Sequence, residues 1–205
     1  MTMRRLLNVL LRDERGGPLA EFALVIGLLF VVGIFVFEVS RFFMQAAMAE
    51  YATHLAVRIA AVRPPVCSGV PDVNERASSS TARFGTMCAD PSQPCAVPAE
   101  PQTCTGMDGD PVVVNEIFAT IQPLLPTGAT PDNLQFQYES TGLGFLGGPY
   151  VPMTSVSLQN LQHEFILPLG QLFAPWGGAG GSGAVPLGPL TATMPGEDLN
   201  VGTGG

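Results

Sequence analysis

The apolar positions form one continuous block near the start of the chain and several short periodic runs after it. From Phe22 to Phe37 every residue is Phe, Ala, Leu, Val, Ile or Gly, with no charge. Adding Leu19 and Ala20 gives a span interrupted only by Glu21. At ~1.5 Å per residue these 19 positions make roughly 28 Å of helix, close to the thickness of a bilayer core. Backbone polar groups in lipid must be satisfied within their own segment, which predicts a helix. Glu21 is the anomaly, because a carboxylate at the edge of such a span costs up to a few kcal/mol and marks a residue with a partner or a role.

From Glu38 to Val62 the helical pattern continues without Gly or Pro. Val39, Phe42, Phe43, Ala46, Ala49, Thr53, Ala56 and Ile59/Ala60 recur at helical spacing, with Arg41, Glu50 and Arg58 among the polar positions. Ala52, Ala56 and Ala60 form a small-residue ridge at intervals of four, as do Ala23 and Gly27 in the apolar block. Such ridges let a helix approach its own domain or a second helix closely. Pro64 and Pro65 end the run. The helix expected over 17–63 is roughly 70 Å long.

Further on, Asp110 offers an N-cap and Pro111 a first-turn proline. Val113, Ile117, Phe118, Ile121 and Leu124 then predict a second helix over Val112 to Leu125, ending at Pro123 to Pro126. Leu134 to Tyr138 alternates strictly and predicts a strand, followed by the Gly-rich turn Gly142 to Gly148. Val151 to Leu158, Glu164 to Leu167 and Leu190 to Met194 are further strand candidates. Gly177 to Gly183 is a low-complexity loop with no strand-to-helix context and no following Lys, so it is not read as a phosphate cradle. Gly202 to Gly205 reads as a tail. The fold class is α+β: a long N-terminal transmembrane and amphipathic helix, then a small disulfide-pinned domain with one more helix and a three- to four-stranded antiparallel sheet. The segments are a basic leader (1–16), the long helix (17–63), a Cys/Pro-rich loop rather than a core layer (64–111), and an α+β head (112–205).

Charge adds an orientation. Arg4, Arg5, Arg12 and Arg15 precede the apolar span, opposed only by Asp13 and Glu14. Lys/Arg-rich short flanks stay cytoplasmic, which places the N-terminus inside and the rest of the chain outside. Net charge is −8, and all nine basic residues are Arg. Without residues 1–16 there remain five Arg against 15 acids, a net charge of −10. So acidic an exported part argues against nucleic acid as a partner. The 24 Gly and 19 Pro predict a loop-rich head.

Cys67, Cys88, Cys95 and Cys104 all follow the span, and an exported location predicts two disulfides among them. Spacings of 20, 6 and 8 residues, with no Cys-x-x-Cys pair, disfavour zinc. Three connectivities are open. His54 reads as a half-exposed helical residue. His163 and Glu164, adjacent in a strand pattern, point to opposite faces and form no dyad. No Gly-x-Ser-x-Gly elbow, P-loop or His-Glu-x-x-His motif occurs, so no catalytic, cofactor or metal site is expected and the chain is read as a non-enzyme.

One stretch carries a family resemblance. Arg15-Gly16-Gly17-Pro18-Leu19-Ala20-Glu21-Phe22 joins a basic leader ending in glycine to a carboxylate and an aromatic residue, then the apolar helix. This resembles the processing site of type IVb prepilins, most closely the TadE-like minor pseudopilins of tight-adherence pili. The similarity covers about residues 12 to 62, and Pro18 departs from the family pattern. It implies that a prepilin peptidase cuts after Gly16, that Gly17 becomes the new N-terminus, and that Glu21 and Phe22 become the fifth and sixth mature residues. It further implies a minor pilin acting in assembly, at a tip or in initiation, with other pilins or pseudopilins and inner-membrane lipid as partners. The head would be periplasmic or carried on a surface pilus. A second reading keeps the leader intact: a signal-anchored periplasmic or surface binding domain outside any filament. A cleaved secretory signal ending at Ala47-Met48-Ala49 fits poorly, because Glu38, Arg41, Phe42 and Phe43 separate that site from the apolar block.

Overall fold

The computed structural model describes residues 17–98, 100–166, 184–197 and 199. The first element, α1, is a single helix Gly17–Ala60 of 44 residues. It opens with Pro18 in its first turn, where a missing N–H costs nothing. Ala61 N still bonds to Val57 O at 2.9 Å, and the helix ends ahead of Pro64 and Pro65, three residues short of the expected Arg63.

The chain divides into two compact units, Met1–Phe43 and Met44–Gly205. In the first, α1 leaves Phe22, Leu24, Val25, Leu28, Leu29 and Phe30 exposed. Only 6 % of the most apolar 18-residue window in Glu21–Ala60 is buried. A core helix would bury its apolar side, so this one is of the kind that crosses a membrane or serves as a signal sequence. Glu38 pairs with Arg41 at 3.5 Å, one turn on. The expected leader, including Gly16, lies outside the described residues.

In the second unit α1 behaves differently. Ala49, Ala52, Ala56, Val57 and Ala60 are fully buried, and Thr53 Oγ1 donates to Ala49 O at 2.8 Å. The alanine ridge therefore packs against the chain's own domain, where side chains without bulk let the backbone come close. The second helix, α2, is Pro111–Ile121. Asp110 caps it by accepting from Val112 N at 2.8 Å, and Val113, Val114, Ile117 and Ile121 are buried. Pro123 cannot supply an N–H to the helical ladder, so the last expected turn is a 3₁₀ turn, Gln122–Leu124.

Four antiparallel strands form the main sheet in the order β1-β2-β3-β6: β1 (Gln102–Thr105), β2 (Leu134–Leu143), β3 (Val151–Leu158) and β6 (Leu190–Pro195). Between them in sequence, β4 (Gln162–Glu164) and β5 (Ala184–Pro186) form a separate pair. Register aligns Cys104, Phe136, Val156 and Ala192 across the main sheet, and Leu134 with Leu158 and Leu190. Phe136, Tyr138, Val156, Leu158 and Ala192 are buried and share the core with the buried residues of both helices. The alternate positions are polar: Ser155 Oγ lies 2.9 Å from Thr193 Oγ1, and Ser157 Oγ 2.9 Å from Thr191 Oγ1. The period-2 alternation thus encodes a sheet with one dry face and one wet face.

Three strand expectations change. The cysteine-rich stretch, expected to be loop throughout, contributes the edge strand β1. The strand expected over Glu164 to Leu167 is centred earlier, at Gln162–Glu164, and Leu167 lies outside the described residues. Strand β5 was not expected at all. The Gly177 to Gly183 loop and the Gly202 to Gly205 tail also lie outside the described residues.

Candidate functional site

The residues singled out by the leader-like pattern begin α1. Gly17 is its first residue and Glu21 follows one turn later, exposed among exposed Leu19, Phe22 and Leu24. At ~1.5 Å rise, the Glu21 Cα stands roughly 6 Å along the axis from that of Gly17. Among the described residues the Glu21 carboxylate makes no ion pair, and its described neighbours along the helix, Leu19, Phe22 and Leu24, are apolar. In lipid, such a group calls for a cation from outside its own helix.

The four cysteines form two disulfides, Cys67–Cys104 and Cys88–Cys95, one nested within the other. The outer bond ties the segment just after α1 to strand β1. The inner bond closes a short ring. Beside that ring lies an open cavity of about 800 Å³, lined in part by Ser78, Ser79, Asp90, Ser92 and Gln93. Asp90 Oδ1 accepts from Ser92 Oγ at 2.7 Å and from Ser92 N at 2.9 Å, and these bonds hold its carboxyl below the usual range. That carboxylate shapes the turn, and the rest of the lining mixes the serine hydroxyls and the Gln93 amide with apolar Ala77, Pro91 and Val97 and the Cys88–Cys95 disulfide.

The two histidines are far apart in role. His54 is exposed on α1 beside Tyr51, Leu55, Arg58 and Met194, around a shallow cavity of about 190 Å³. His163 is buried in β4, where Gln45 Oε1 accepts from its Nδ1 and the Phe165 ring meets it edge-on at 4.9 Å. Gln162 and Glu164 on either side are exposed, so Glu164 is on the opposite face from His163. Among the described residues, no group of three or more His, Cys, Asp or Glu could hold a metal ion.

Tyr138 is a buried acid of β2. Its hydroxyl accepts from Val66 N at 3.0 Å, and burial pushes its pKa up to about 12. Tyr150 is pushed up as well, again by burial. Both hydroxyls are taken up in hydrogen bonds, Tyr138 with Val66 and Tyr150 with Ser140, so both read as structural. Sequence reasoning did not single out Tyr138 beyond its strand; a tyrosine in the last buried position of an alternating run is the signal that points to it. Compared with family models, curated proteins and solved structures, the chain matches none of them.

Proposed function

We propose that this chain is a pilin-like, membrane-anchored assembly subunit of the TadE-like minor pseudopilin kind, and not a catalyst. The observation that carries the reading is the spacing of Gly16, Gly17, Glu21 and Phe22 at the start of a 44-residue helix whose first part is apolar and exposed. Two disulfides in the remainder suit an oxidising compartment, which agrees with the Arg-rich flank staying cytoplasmic.

The mechanism is electrostatic. A prepilin peptidase cuts after Gly16 and frees the Gly17 amine at the membrane face. Glu21 of one subunit, roughly 6 Å further along its helix, takes the amine of a neighbour as its counter-ion. At an effective dielectric near 20, a pair at contact distance gains on the order of 4 kcal/mol before desolvation, which favours insertion of subunits in register. Other pilins or pseudopilins and inner-membrane lipid are the partners on this reading, and the longer head suits a tip or initiation role. One observation favours a second reading, a signal-anchored binding domain: the open cavity of about 800 Å³ at the inner disulfide, with its mixed polar and apolar lining.

Mass spectrometry of the N-terminus, on protein extracted from membranes of cells with an active prepilin peptidase, separates the two. We expect a mature chain starting at Gly17, and retention of residues 1–16 in Gly16→Ala. A chain starting at Met1 or at Glu50 sinks the assembly reading.

A further inference from the structure

We propose that the second unit, Met44–Gly205, carries two complementary surface patches through which one copy of the chain docks on a second copy. Beyond residue 63 the chain holds 12 acidic residues and only two basic ones, Arg76 and Arg83. Arg76 borders an exposed aromatic surface, and Arg83 is exposed directly before Phe84 in the chain. The Arg76 guanidinium carbon lies 4.9 Å from the centroid of the Phe84 ring. Phe84 is 72 % exposed and Met87 66 %, and Phe145 is exposed beside them. Met87 and Phe145 face each other across an antiparallel bridge, which puts their side chains on one side.

The patch is built, not accidental. A Cβ at Gly147 would stand 2.7 Å from the Phe84 ring, and one at Gly148 2.6 Å from the Phe145 ring. These glycines let both rings lie against the backbone. Gly85 N bonds to Leu146 O at 2.9 Å, Leu146 N to Thr86 O at 2.8 Å and Cys88 N to Gly144 O at 3.0 Å, with Leu146 buried beneath. Exposed aromatic surface on a braced frame of this kind marks an interaction site.

Charge selects the occupant. A long polyanion or an anionic membrane would meet the repulsion of the many carboxylates, whereas a compact acidic and apolar patch can engage the two arginines over a small area. The same unit presents such a patch at the start of α2. Met107 and Val112 are exposed, Val112 to 75 %, and they are flanked by exposed Asp108 and Asp110. Thr105 Oγ1 donates to Asp108 Oδ2 at 2.7 Å, which fixes that carboxylate in place. The two patches differ, so the contact is heterologous: each copy in a docked pair keeps one patch free, and the contact can repeat along a row. Nothing in this contact draws on Glu21 or on processing at Gly16.

The test replaces Met87 with a photo-crosslinking amino acid in the full-length chain in its native membrane. Ultraviolet light should give a homodimer whose cross-linked peptide pair joins Met87 to the segment 105–116. Arg76→Glu with Arg83→Glu should lower the homodimer yield roughly ten-fold, and adding Asp108→Arg should restore much of it. Arg76→Gln with Arg83→Gln should give an intermediate loss, and disulfide mapping of each variant confirms that the head has folded. Glu21→Ala should leave the cross-link intact, which keeps this outcome separate from that of the assembly reading. No homodimer, a cross-link mapping elsewhere or to another protein, or an unchanged yield in both arginine variants would overturn the proposal.

Discussion

Val66 N–H donates to the hydroxyl of Tyr138 at 3.0 Å, joining the residue just past the Pro64-Pro65 stop of α1 to the middle of β2. Both residues are buried, and 72 positions separate them. The bond supplies a partner to an amide that lost its helical one when the prolines ended α1. Next to it, Cys67 is tied to Cys104 on β1, so one short segment fixes the helix exit to two neighbouring strands.

Replacing Tyr138 with Phe keeps the ring and removes the acceptor. The buried Val66 amide then has no partner, at a cost of about 1–3 kcal/mol. Urea unfolding of the detergent-solubilised full chain should show that loss with an unchanged slope. Stability equal to the parent would mean that water replaces the hydroxyl.

Alkaline pH should act through the same residue. Burial raises the Tyr138 pKa from the ordinary 10 to about 12, so the folded state holds the phenolic proton more tightly than the unfolded chain does. Its contribution is fully present below pH 10 and is lost as pH rises from 10 through about 12, on the order of 2–3 kcal/mol. Tyr150 moves stability in the same direction. The unfolding midpoint should fall across that window, and Tyr138→Phe should flatten the fall in part. An equally steep fall in the variant would assign the effect to other groups.

The disulfides should differ in weight. Cys67–Cys104 closes a loop of 37 residues and Cys88–Cys95 one of 7. Chain entropy gives roughly 4 kcal/mol for the longer loop and roughly 2 kcal/mol for the shorter. Paired Cys→Ser variants should rank in that order in denaturant midpoint. Peptide mapping without reductant should recover those two pairs, and a Cys67–Cys88 or Cys67–Cys95 peptide would contradict the connectivity.

Glu21 should matter to assembly and not to the head. On the assembly reading, Glu21→Ala removes a costly carboxylate from lipid and should ease membrane residence by about 1–2 kcal/mol. In a filament or initiation complex it would leave a neighbour's Gly17 amine unpaired, and Glu21→Gln should behave alike. Piliation, or co-purification with partner pilins, should fall in both variants while protein level and disulfide pairing stay normal. Normal piliation would reduce Glu21 to an interfacial residue.

The local signals in the chain were read close to where the structure has them. The uncharged block from Phe22 and the alanines beyond it became one helix, because helical spacing and the absence of Gly and Pro after Glu38 are properties of adjacent residues. Asp110-Pro111 opened α2, since a cap acts only on the amides two or three positions on. Val151 to Leu158 became β3 residue for residue, and Leu134 began β2, because alternation reflects one buried and one wet face. That the cysteines would be disulfide-bonded was also legible.

What the chain left open depends on residues brought together from a distance. Gln102-Thr103-Cys104-Thr105 has no apolar alternation; it is a strand because β2 offers it an edge and the Cys67–Cys104 bond holds it there. The choice among three cysteine connectivities, the burial of the alanine ridge against the chain's own domain, and the meeting of Arg76, Phe84, Met87 and Phe145 are likewise products of closure. Periodicity fixes which face of an element is apolar. Which surface covers that face is decided only when the whole chain has folded, because packing and cross-linking act between residues that sequence order keeps apart.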